Sequence, residues 1–227
     1  MHGGPRTTRA ALTALVEEAL WKTFKCKTLR LPRGQMEANR FGIRLAQAWA
    51  EHGLNGPKGN VHLFAAKHWM RKTKQSHLAG IQLELGGKLH KWEFLVDVFI
   101  ERRRAKPQRT ESRLAYEIEA SPDQDVDFIE EGGHDYLHDF TKLLYVRAPR
   151  RLFVAVSRST DRRLARLERT LKRAWRDAMP IAGELAVVLL PPGKTQMAET
   201  RLGLREAGKL NFYQPWQGGK TPTSGRC

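Results

Sequence analysis

Cysteine is scarce: Cys26 and Cys227 are the only two in 227 residues. Two thiols exclude a disulfide-dense scaffold and a four-thiolate zinc ribbon, and they point to a reducing, cytoplasmic setting with Cys26 as a buried structural thiol. Long apolar runs are also missing. No stretch approaches the ~18 residues that a bilayer crossing needs, so no membrane partner is expected. The most apolar early segment, 10–20, contains Glu17 and Glu18 and lacks a small-residue cleavage site, which reads against a secretory signal. The glycines of a phosphate-binding loop are absent too. Pro192-Gly193-Lys194-Thr195 ends like such a loop, but Val188 stands where its first glycine belongs, and Gln214 does the same for Gly218-Gly219-Lys220-Thr221. Backbone amides cannot wrap a phosphate without that glycine, so NTPase chemistry is not expected. His134 and His138 lie four apart on an expected helix, yet Asp135 follows His134 where a metalloprotease motif needs glutamate, so the pair reads as helix-capping polar groups.

Acid is scarce in a localised way. Forty Lys plus Arg against 24 Asp plus Glu give a net charge of +16, and the pI is about 10.3. Such a surface suits a polyanion, and nucleic acid fits better than a membrane because no helix pairs a basic face with a bulky apolar one. Residues 111–140 nevertheless hold ten of the 24 acids and one base, Arg113, for a local charge of −9, which leaves +25 on the rest of the chain. A metal-dependent nuclease needs both features: a surface that attracts phosphate and a centre that gathers carboxylates around a cation.

The apolar pattern predicts helices over 7–24 and 35–52, strands over 62–66, 79–85 and 91–100, a basic connector over 101–113 and a strand over 114–120. Gly86-Gly87 reads as the turn of a hairpin between 79–85 and 91–100. A helix over 134–146, a strand over 151–156, a helix over 161–179 and a strand over 184–190 follow. No internal repeat is visible. This order indicates a mixed α/β sheet flanked by helices, with an N-terminal helical extension at 1–34, a main domain at 35–216 and a flexible basic tail at 217–227.

Three carboxylates stand out by their setting. Asp97 interrupts the apolar run Phe94-Leu95-Val96-Asp97-Val98-Phe99, and Glu117 and Glu119 bracket Ile118. Strand alternation directs Glu117 and Glu119 to one face. Ionised acids on sheet strands are costly unless water, hydrogen bonds or cations offset them, and oxygen-only ligands select Mg²⁺ or Mn²⁺ over zinc.

At these residues the sequence resembles the PD-(D/E)XK nuclease superfamily, over roughly 35–157. Asp97 matches the first acid and Glu117-x-Glu119 the second motif, while 139–144 and the strand after it resemble the next helix and strand. The resemblance implies a restriction-endonuclease-like fold and a Mg²⁺-dependent (or Mn²⁺-dependent) endonuclease acting on DNA. It implies Asp97, Glu117 and Glu119 as metal ligands, joined by Glu37 from a preceding helix. Glu119 occupies the position where lysine is commonest, which makes Lys142 the substitute. For substrate grip, Arg162, Arg166, Arg169, Arg173 and Arg176 align along one ridge of the 161–179 helix, opposite a stripe of Leu164, Leu167, Leu171, Trp175 and Ala178. Arg102, Arg103 and Arg104 on the basic connector form a second candidate. No stacked-aromatic RNA motif is visible, so duplex DNA is preferred to RNA, and cutting both strands implies a homodimer. Two alternatives stay open: a nucleic-acid-binding protein of the same fold without catalysis, and a basic assembly or packaging factor whose acidic window is a docking loop.

Overall fold

Leu12, Leu15, Val16, Ala19 and Leu20 recur at helical spacing, and helix α1 (Arg9–Phe24) buries all five. Thr8 caps it, its hydroxyl accepting from the Ala11 amide at 3.2 Å. In the computed structural model residues 6–24, 30–32, 35–52, 61–66, 88–92, 98–103, 110–119, 135–146, 148–156, 161–178, 182–191 and 197–218 are described. The elements after α1 are α2 (Gln35–His52), β1 (Val61–Ala66), β2 (Lys88–Trp92), β3 (Val98–Arg103), β4 (Thr110–Glu119), α3 (Asp135–Tyr145), β5 (Arg150–Val156), α4 (Asp161–Asp177), β6 (Glu184–Leu190), β7 (Arg201–Glu206) and β8 (Lys209–Tyr213).

The protein is mixed α/β. Its eight strands lie in the order β2-β1-β3-β4-β5-β6-β7-β8. β4, β5 and β6 run parallel, β3 runs antiparallel to both β1 and β4, and β7 and β8 close the other edge as an antiparallel hairpin. The central strands read as near-continuous apolar runs because both faces are covered. Leu152, Val154 and Val156 of β5 pack with α1 and α2, whereas Phe153 and Ala155 pack with α3 and α4. Phe140 of α3 meets Phe153 edge-on, with centroids 5.4 Å apart. Helix α4 buries Leu164, Leu167, Leu171 and Trp175, the stripe read from its spacing.

The structure corrects three expectations. The apolar run 91–100 is two strands. β2 pairs in parallel with β1, and β3 pairs antiparallel with β1 on its other side; the hairpin expected between 79–85 and this run has its first arm and its turn outside the described residues. The basic connector is largely strand: Arg102 and Arg103 end β3, level with Glu111 and Thr110 of β4. The N-terminal helix, expected as an extension, is built into the core of the sheet. Thr7 donates to both carboxylate oxygens of Glu184 on β6, accepts from Trp49 Nε1 at 2.8 Å, and Glu184 also takes Arg150. Trp216 Nε1 donates to Glu17 and Tyr213 donates to the Arg9 carbonyl, which ties α1 to the end of the chain.

Candidate functional site

Strands β3 and β4 carry the acidic motif between them. Their antiparallel register pairs Val98 with Tyr116. Val98 follows Asp97 in sequence and Tyr116 precedes Glu117, so the register runs toward Asp97 on one strand and toward Glu117 on the other. Asp97 itself lies outside the described residues. On the far side of β4, Glu117 is level with Phe153 and Glu119 with Ala155. Those two β5 residues belong to the cluster under α3 and α4. The two glutamate positions therefore share the register of the face that α3 covers, and α3 packs on β4 as well as β5.

Lys142 is on α3, one turn from its C-terminal end. Its ammonium lies 2.5 Å from Asp139 Oδ1, an i,i+3 pair in which both side chains are largely sheltered. Glu37 is engaged elsewhere. It sits in the first turn of α2, whose apolar side packs on the opposite face of the sheet, and its carboxylate accepts from Arg30 at 2.8 and 3.3 Å. The Arg30 guanidinium also stacks over Phe24, 4.1 Å from the ring centre. The structure does not bring Glu37 to the face shared by Glu117 and Glu119. Among the described residues no three metal-ligating side chains cluster.

The arginine ridge faces out from α4, as its buried leucines require. Arg169, Arg173 and Arg176 are exposed, and Arg166 is partly buried. Arg173 and Arg176 share one carboxylate, Asp177, at 3.7 and 3.4 Å. Glu168, on the sheltered flank, holds Lys172 and Arg201. Arg162 lies on the first turn of α4. Arg102 and Arg103 occupy an interior strand and not a free connector; Arg104 and the acids between 120 and 134 lie outside the described residues.

Two further groups were not singled out from the sequence. Arg151 is the second residue of β5 and is fully buried. Its Nε donates to the Val146 carbonyl at 3.1 Å and its Nη2 to the Ala182 carbonyl at 2.7 Å. Burial lowers its pKa, and the nearby Arg205 adds to that. Arg205 in turn donates to the Gly183 carbonyl. Tyr145 is the second, a large apolar side chain that is 69% exposed near the end of α3. No sequence signal marks either. An arginine before an apolar run reads as a strand flank, and a tyrosine at the end of an amphipathic helix reads as core.

No family model, curated protein or solved structure matches the chain. Among the described residues no helix is long and apolar enough to cross a membrane.

Proposed function

We propose that the chain is a Mg²⁺-dependent (or Mn²⁺-dependent) endonuclease of restriction-endonuclease-like fold that hydrolyses DNA phosphodiester bonds. The observation that carries this reading is the β3–β4 register, which runs toward Asp97 on one strand and Glu117 on its neighbour. Carboxylates from adjacent strands are the oxygen-only donor set that hard divalent cations take. The element order supports the same reading: a helix, four strands of which β3 and β4 are antiparallel neighbours, then a helix leading to a parallel strand.

In this mechanism Asp97 and Glu117 would hold a divalent cation, and Glu119 would complete the donor set or orient the attacking water. Such a cation, when bound, would supply a water of lowered pKa and offset negative charge at the scissile phosphate. Lys142 comes from the helix that covers β4, and its ammonium stabilises the transition-state charge in place of the motif lysine. Asp139 holds that ammonium in the resting protein. The exposed arginines of α4 take backbone phosphates.

A second reading, a binding protein without catalysis, draws on the same Lys142–Asp139 pair: the one cation offered for catalysis is already neutralised. A plasmid-nicking assay separates the two. The nuclease converts supercoiled plasmid to open circles with Mg²⁺ or Mn²⁺ and stops in EDTA. Retardation of the plasmid without any metal-dependent nicking supports the binding protein.

A further inference from the structure

Helices α3 and α4 each return the chain between parallel strands, β4 to β5 and β5 to β6, and both bury their apolar sides against Phe153, Ala155, Val187 and Leu189. They therefore run side by side in the same direction, and their outward sides form one surface. The buried Arg151 guanidinium bridges the carbonyls of Val146, directly after α3, and Ala182, two residues before β6.

At that end the surface combines one aromatic ring with several cations. Tyr145 is 69% exposed. On the neighbouring helix Arg173 and Arg176 are 78% and 75% exposed at the side chain, and Asp177 is the one carboxylate they share. Arg169 continues the line one turn earlier, and His138, exposed like Tyr145, shares the outward side of α3 with it at helical spacing. Arginines alone suit any polyanion. A solvent-exposed ring among them suits a partner that offers both phosphates and flat apolar faces.

We infer that the α3–α4 outer surface binds a nucleic-acid strand with unstacked bases, Tyr145 stacking on a base while Arg169, Arg173 and Arg176 take the flanking phosphates. A blunt duplex keeps its bases stacked on each other and offers this surface phosphate alone. The inference rests on the reading of the chain as a DNA-acting protein and narrows its substrate to DNA that carries an unpaired segment.

The test is fluorescence anisotropy in EDTA with an oligonucleotide of roughly 16 nucleotides, single-stranded or as a blunt duplex. The single strand should bind at least ~5-fold tighter than the duplex, and Tyr145→Ala should weaken single-strand binding by ~5-fold or more. Tyr145→Phe should retain that affinity, and duplex binding should not respond to either change. Replacing Arg173 and Arg176 by Ala together should weaken both ligands. The inference is overturned if Tyr145→Ala leaves single-strand binding unchanged, or if it weakens the duplex equally. Because EDTA removes catalysis, plasmid nicking with no effect of Tyr145 overturns the inference and keeps the nuclease. Tyr145-dependent binding without nicking does the reverse. A wild-type protein that binds neither oligonucleotide, but captures an acidic polypeptide through the same arginines, overturns both.

Discussion

Lys142 is the residue on which mechanism turns, and its surroundings decide what its loss should do. The side chain belongs to an i,i+3 pair on α3, so removing it leaves Asp139 without its cation but opens no cavity in the core. Lys142→Ala should therefore lower metal-dependent cleavage by ~100-fold or more, the scale of one lost electrostatic stabiliser, while DNA affinity is retained. Single-turnover rates beside a binding isotherm check this; an unchanged rate returns Lys142 to the role of a helix-surface cation. A second residue-scale effect concerns pH. The hydrogen bond from Arg9, together with that from Asn211, holds the Glu206 carboxyl below its ordinary value of 4.5. A depressed carboxyl stabilises the fold above that ordinary value, and the contribution disappears as pH falls through the folded-state pKa. Both partners are well exposed, 51% and 36% at the side chain, which keeps the contribution to a few tenths of a kcal/mol. Glu206→Gln should thus melt slightly below the parent at pH 7 and level with it near ~pH 3. A gap that widens in acid contradicts the assignment. At this scale the sequence was legible where a strand pattern fixes position: Glu117 and Glu119 fall on one strand, β4. Partners were not legible: Arg30 for Glu37 and Asp139 for Lys142 are set by side-chain reach, which spacing along the chain does not encode.

Elements were legible in proportion to how strongly burial stamps a period on them. Helix α4 alternates leucines and arginines so regularly that its buried side and its outward ridge both agree with the structure. If that ridge tracks phosphates, replacing two of Arg169, Arg173 and Arg176 should weaken binding to every DNA sequence about equally, and the slope of log K against log salt should fall by about one per lost contact. A titration at several salt concentrations measures it, and an unchanged slope marks a merely solvated face. The run 91–100 misled because it is mostly apolar, which suits one long strand as well as two short ones on either side of β1. The hairpin β7–β8 was missed because its turn is Ala207-Gly208, with φ of 49° and 80°, in place of the asparagine-glycine that announces such turns. Nor does spacing announce Gly183, whose φ of 126° lets the chain enter β6 close to the Pro149 carbonyl; a β-carbon there would stand 2.8 Å from that oxygen.

At the scale of the whole molecule, fold class follows from alternating helices and apolar runs, and the mixed α/β sheet is what that alternation predicts. The integration of α1 was not legible, because an amphipathic helix buries its apolar side equally well in an appendage or in a core. What closes it in is long-range: Thr7 linking Trp49 to Glu184, and Tyr213 and Trp216 reaching back to Arg9 and Glu17. Three acids of the acidic window, Glu111, Glu117 and Glu119, lie on β4, a central strand whose neighbours are β3 and β5. In the proposed site, carboxylates that converge on a cation would repel one another when the cation is absent, so stability and activity should respond oppositely to their loss. The most direct measurement is therefore a paired one, plasmid nicking in Mg²⁺ and thermal melting in EDTA, for Asp97→Asn and Glu117→Gln. Both variants should lose metal-dependent nicking while melting at or slightly above the parental temperature. If both melt early and the protein that stays folded still cuts, these acids support the sheet and not catalysis, and the nuclease reading is contradicted.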